Sequence, residues 1–268
     1  MHTPTSNFLA FFLFICGGLS VFAQGISMSP TRLFFTGNPG EIVTEPVTLS
    51  NTSDTDYVFN VNTKDWEREE DGNKVYFDAN SLKQSNATWI STIASSINLP
   101  ANTTMEIIVT MKIPADASTS EITNSMLFFT QIGKQKDIAQ QQKGIGIIAL
   151  FEFGLHVYYT PVGNNVKSLD IVSMEELTDT ASTTKKVAVG IENDGNMVND
   201  ATVELEFTNT ASGEEIKLKP INISMLPGTK QVVLFTLPEG ISGSYLGVSI
   251  IKMAGTNDLR VGEKDFDF

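Results

Sequence analysis

The sequence predicts an all-β protein: two β-sandwich domains behind a cleaved signal peptide. Three observations carry this. No stretch after Gln24 shows a helical period, whereas alternating and β-branched runs recur to the end of the chain. Turn-forming clusters such as Gly37-Asn38-Pro39-Gly40, Asp71-Gly72-Asn73 and Asn193-Asp194-Gly195-Asn196 separate those runs at the close spacing of a sandwich. The first apolar run, residues 8–16, is shorter than the ~20 residues of a membrane span. Val21 and Ala23 then occupy positions −3 and −1 of a signal-peptidase site before Gln24.

The expected layout is residues 1–23 signal peptide, 24–161 first domain and 162–268 second domain. In the first domain the strands fall at 26–35, 42–50, 57–62, 74–77, 96–99, 105–113, 126–132 and 145–159. Pro161-Val162-Gly163-Asn164-Asn165 reads as the joint. A second series follows at 166–172, 186–192, 202–208, 215–218, 230–235, 244–251 and 260–266. Both series read as immunoglobulin-like sandwiches, with no internal sequence repeat beyond the shared architecture.

Composition narrows the function. Of 268 residues, 31 are acidic and 18 basic, a net charge of −13 that lacks the basic footprint of a nucleic-acid binder. The only cysteine is Cys16, inside the first apolar run, so a mature chain from Gln24 has no disulfide and no cysteine metal site. A lipoprotein would be cleaved at Cys16, but Phe14 and Ile15 precede it where small residues are expected. Without disulfides each domain rests on its own core, which favours domains of ~100 residues or more.

Little of the sequence can carry catalysis. His156 is the one histidine after Gln24, and it lies in a strand with no nucleophile elbow nearby. Gly144-Ile145-Gly146 precedes a strand rather than a helix, so it is no phosphate loop. The acidic group Trp66-Glu67-Arg68-Glu69-Glu70-Asp71 lacks a calcium-loop pattern and reads as a solvated strand-turn edge, with a carboxylate-pair hydrolase or calcium site as the alternatives. Asp179-Thr180-Ala181 is either an ordinary polar loop or an acceptor tripeptide for bacterial O-glycosylation. The run 145–159 stands out. Ile145, Ile147, Ala149, Phe151, Phe153, Leu155, Val157 and Tyr159 share one parity, after a polar loop at 133–143. It is either a central core strand or an edge with which another chain pairs.

These residues resemble the periplasmic pilus chaperones of the chaperone–usher pathway, the PapD-like family, as a divergent, Bacteroidota-type member. Thr31-Arg32-Leu33-Phe34-Phe35 before Thr36-Gly37 is similar to the family's first strand. Val47-Thr48-Leu49-Ser50-Asn51 resembles its second, and Leu99-Pro100-Ala101 its proline-marked turn. Met126-Leu127-Phe128-Phe129-Thr130 is similar to its aromatic penultimate strand, and Val157-Tyr158-Tyr159-Thr160-Pro161 to the end of its last. The resemblance implies that Arg32 binds a subunit's C-terminal carboxylate. The second anchor is a lysine in the family and His156 here, where any charge depends on pH. It also implies that Ile145, Ile147, Ala149 and Phe151 form the donor strand. The second domain resembles the family less and looks more like envelope immunoglobulin-like modules.

The expectation is a non-enzymatic periplasmic chaperone without cofactor, metal or ATP. Its partners would be secreted or fimbrial subunits and an outer-membrane usher, without stable membrane insertion and with self-association through the edge strand. The alternative is a cell-envelope scaffold or adhesion protein that binds surface proteins or peptidoglycan.

Overall fold

The computed structural model describes residues 25–133, 150–177 and 184–268. The expected signal peptide, the expected donor positions Ile145, Ile147 and Ala149, and Asp179-Thr180-Ala181 lie outside them. Two β-sandwiches follow one another along the chain. In the first, one sheet runs β1 (Ile26–Ser29), β3 (Ile42–Asn51), β8 (Thr103–Lys112), β6 (Ile90–Thr92). Facing it are, in order, β2 (Arg32–Gly37), β10 (Glu152–Pro161), β9 (Thr123–Gln131), β4 (Tyr57–Arg68) and β5 (Lys74–Asp78), with β7 (Ser96–Leu99) also on β4.

The second sandwich has a three-stranded sheet, β11 (Asp170–Leu177), β12 (Lys186–Glu192), β16 (Lys230–Thr236). Its partner sheet runs β14 (Glu215–Lys217), β13 (Asn199–Asn209), β17 (Ser244–Met253), β18 (Leu259–Asp267), with β15 (Ile221–Met225) on β13. Period-two alternation drives each core. On β13, Val203, Leu205 and Phe207 are fully buried while the residues between them are half-exposed. Leu33, Phe35, Leu127, Phe129, Val157 and Tyr159 do the same work in the first sandwich.

The structure departs from the sequence expectation at several elements. The run expected at 26–35 is two strands in opposite sheets, β1 on β3 and β2 on β10. Pro30, at the break, has no N–H to give a ladder. The strand expected at 166–172 starts instead at Asp170, because the Asn196 carboxamide oxygen takes the N–H groups of Asn165 and Val166. Strands β6 and β15 were not expected; they have 3 and 5 residues, too short for a clear period.

One device recurs in both sandwiches. At the end of β3 the buried Asn51 side chain donates to the Thr55 and Pro100 carbonyls and accepts from the Ser53 N–H. After β12 the buried Asn193 donates to the Met197 and Met225 carbonyls and accepts from the Gly195 N–H. Each buried asparagine thereby pairs its own side-chain amide and ties a strand end to two loop carbonyls.

Candidate functional site

Strands β2 and β10 are parallel neighbours, with Arg32 opposite His156 and Phe34 opposite Tyr158. Because Leu33, Phe35, Val157 and Tyr159 point into the core, Arg32, Phe34, His156 and Tyr158 share the outer face. There the rings stack: Phe34 on Tyr158 at 5.2 Å, and His156 parallel to Tyr158 at 5.9 Å. Trp66 of β4 meets the His156 ring at 4.5 Å and donates its indole N–H to the Ser125 carbonyl at 3.2 Å. Trp66, Met126, Phe128 and Tyr158 form one buried cluster, and Val198 and Leu226 of the second sandwich pack on it. Gly154 makes room for that packing, since a Cβ there would lie 2.8 Å from Met126 Cε and 2.9 Å from a Phe128 ring carbon.

Charge gathers at the margin of this cluster. Arg32 Nη1 donates to both carboxylate oxygens of Asp200, at 2.7 and 2.8 Å. The Arg32 pKa rises above its ordinary value through that bond. Burial pushes Asp200 up, but hydrogen bonds from Arg32 and Ser224 and the Arg32 charge outweigh it, so its pKa lies below the ordinary value. The Lys74 Nζ is 2.8 Å from His156 Nε2 and 5.8 Å from the Trp66 ring centre, and the Arg68 guanidinium lies over the same ring at 6.0 Å. A cleft of ≈ 520 Å³ opens here, lined by Arg32, Arg68, Asp200, Ser224, Gln231 and Lys252 among others.

His156 is not a cation in this setting. Burial, then the charges of Lys74, Arg68 and Arg32, push its pKa down to about 3. A neutral imidazole beside an ammonium accepts at Nε2 and so carries its proton on Nδ1. That Nδ1 is buried without a partner among the described residues. Burial pushes the neighbouring Tyr158 hydroxyl up to about 12.

The backbone provides the second feature. β10 pairs with β9 from Glu152 onward, but with β2 only from His156 onward. Among the described residues, no strand pairs with the β2-side edge of β10 before His156. His156 gives its N–H toward β2, to the Thr31 carbonyl at 3.1 Å. Glu152 and Gly154 share its parity and present their N–H groups along the same open edge. Upstream, Phe151 donates its N–H to Gln131 Oε1 at 2.9 Å, and its half-exposed ring sits edge-on to Tyr57 and stacked with Phe153.

Of the residues expected from the sequence, Arg32 and His156 thus come together, and Phe151 stands upstream of the open edge. Sequence reasoning missed Lys74 and Asp200, and read Trp66 and Arg68 as part of a solvated strand-turn edge rather than of this site. A weak signal was present: Trp66 and Arg68 precede, and Lys74 follows, a Gly-Asn turn, so a hairpin had to place them close. Among the described residues, no group of three His, Cys, Asp or Glu side chains could hold a metal ion, and no helix is long and apolar enough to cross a membrane.

Comparison with solved structures places this architecture. The class 5 fimbriae chaperone CfaA superposes with a TM-score of 0.51 at 14% identity, over 90% of this chain and 99% of that one. The YadV chaperone superposes with a TM-score of 0.51 at 10% identity, over 90% and 99%. The chain has the PapD-like two-domain fold. No family model and no curated protein matches its sequence. Both neighbours with this fold are described as chaperones, and the candidate site lies where the two sandwiches of the fold meet.

Proposed function

We propose that this PapD-like protein is a periplasmic, ATP-independent chaperone that caps secreted or fimbrial subunits by lending them a strand edge. The observation that carries the reading is the junction of an open edge with a cation. The side of β10 that has no pairing strand among the described residues ends where Arg32 begins β2. A client segment laid along that edge continues β2 backwards, so it runs parallel to β10 with its C-terminal end against Arg32. Main-chain bonds supply affinity, and the carboxylate at Arg32 fixes the register.

In this reading residues 24–161 hold the lending strand and 162–268 form the other wall of the cleft. Ile145, Ile147, Ala149 and Phe151 are the donor side chains. His156 takes part as a neutral hydrogen-bonding group. Hand-over to an outer-membrane usher and self-association of the empty edge belong to the same proposal.

The test is Arg32→Ala. Its ion pair with Asp200 is more than a third exposed, and such a pair contributes about 0–1 kcal/mol to stability. The variant should melt within a few degrees of wild type yet lose the subunit that co-purifies with wild type from the native envelope. A large fall in melting temperature with the subunit still bound would make Arg32 structural.

A further inference from the structure

We infer that Lys74, held against His156 beside the cleft, is a carboxylate-binding residue and, rather than His156, supplies the second positive charge next to Arg32; this rests on the carboxylate-binding reading above. The chain carries a net charge of −13, yet Arg32, Arg68 and Lys74 all act on His156. Among the described residues, Asp200 is the one carboxylate ion-paired to any of the three, and it pairs with Arg32. Among the described residues neither Arg68 nor Lys74 has an ion-pair partner. Arg68 is tied to its own turn by Nη1, which donates to the Gly72 carbonyl, and its Nε is shut off from solvent, without a partner among the described residues. Lys74 is different: its stem is exposed, and its ammonium rests on one neutral ring nitrogen, leaving two donors to give.

The position of Lys74 is built, not incidental. The β4–β5 turn is docked on the second sandwich, where the Glu70 carbonyl accepts from Val232 N–H at 2.6 Å. Gly72, at φ +90°, lets the turn close on Gln231, because a Cβ would lie 2.9 Å from its Nε2. Lys74 is therefore held against His156 by contacts made in another domain. Its pKa is lowered, first by burial and then by Arg68, and among the described residues neither of these two like charges has an ion-pair partner. An anion there relieves both costs. Arg32 can share it, since Asp200 occupies only Nη1 and its Nη2 and Nε make no hydrogen bond among the described residues. Arg32, by strand register, and Lys74, by direct contact, thus both adjoin His156. A chain-terminal carboxylate, with two oxygens, suits two separate cations.

The experiment uses N-acetylvaline, a soluble chain terminus, and N-acetylvalinamide as its uncharged twin. Binding to the mature protein is followed by NMR shifts of the Arg32 and Lys74 side chains, which read even millimolar affinity. Wild type should bind the acid and not the amide. Lys74→Met should weaken the acid about tenfold, as loss of one charge-assisted hydrogen bond does, and Lys74→Arg should restore most of it. Melting curves confirm that each variant is folded, and an unfolded Lys74→Met leaves the decision to Lys74→Arg and to the wild-type Lys74 shift. Acid preference undiminished in folded Lys74→Met, or acid binding that leaves the wild-type Lys74 signal unmoved, overturns the inference and spares the carboxylate reading. Equal binding of acid and amide by wild type, or no binding of either, overturns both.

Discussion

Arg32 and His156 sit opposite each other on neighbouring strands, and their surroundings give them opposite electrostatic fates. Arg32 reaches Asp200 and stays charged, whereas His156 is packed against Trp66 and Tyr158 with Lys74 at its Nε2. The groups facing the imidazole are Lys74, Arg68 and Arg32, all cationic, with Trp66 and Tyr158. Its pKa falls to about 3 in the folded protein, against about 6.5 in an unfolded chain. The unfolded chain therefore takes up the proton first, so stability is full above pH ~6.5 and declines as pH falls from there toward 3. The depressed carboxylate of Asp200 loses its contribution only at lower pH. Wild type should thus show a lower urea midpoint at pH 5 than at pH 7.5, and His156→Phe should remove most of the difference. Binding of a client terminus should be flat between pH 5.5 and 8, because His156 is neutral throughout. Equal urea midpoints for wild type at the two pH values would place the histidine in a more solvated setting. That the residue is a site candidate came from the family resemblance, which sets His156 where the family has its anchoring lysine. Its neutrality was not legible in the sequence, because Lys74 lies 82 residues away in the chain.

Among the elements, the long alternating strands read directly from the sequence. The strand expected at 186–192 matches β12 in both ends, and 42–50 falls one residue short of β3. Such strands bury one face, so a one-residue slip would expose the whole core side and the pattern is sharp. β9 is a different case. Asn124 to Phe129 are buried on both faces, since one side meets the sandwich core and the other lies under Trp66 and the second sandwich. The sequence showed its apolar mass but not its second cover. Asn51 and Asn193 were read only as strand-end and turn residues, and their shared buried bridging role was not legible. Their one common signal, an asparagine ending a β run before a Ser or Gly two residues on, is short enough to occur by chance. For the proposed donor segment, Ile147→Glu separates lending from core packing. In the proposed role the variant folds and loses client binding. As a core position it would bury an unpaired carboxylate, a cost of several kcal/mol, about 3 to 5, and the protein would fail to fold.

The whole molecule is organised by what joins its two sandwiches. Arg32 meets Asp200 across 168 residues of sequence, Glu70 bonds to Val232, and Val198 and Leu226 close over the Trp66 cluster. Asn164, just after β10, bridges the Ser120 and Asn196 carbonyls at 2.9 and 2.8 Å. A single sequence reveals two sandwiches because each is encoded locally, by turns and alternation. The cleft between them is encoded by pairs far apart in the chain, which no local pattern marks. That cleft sets the end-stop of the open β10 edge, and the central claim is that a client strand occupies this edge with its terminus at Arg32. Hydrogen exchange at the Glu152 and Gly154 amides tests it most directly. The account predicts rapid exchange in the verified free monomer and strong protection in the complex with the co-purified subunit, while His156, already bonded to Thr31, changes little. Deep protection of Glu152 and Gly154 in the free monomer, or rapid exchange that persists in the complex, would contradict it.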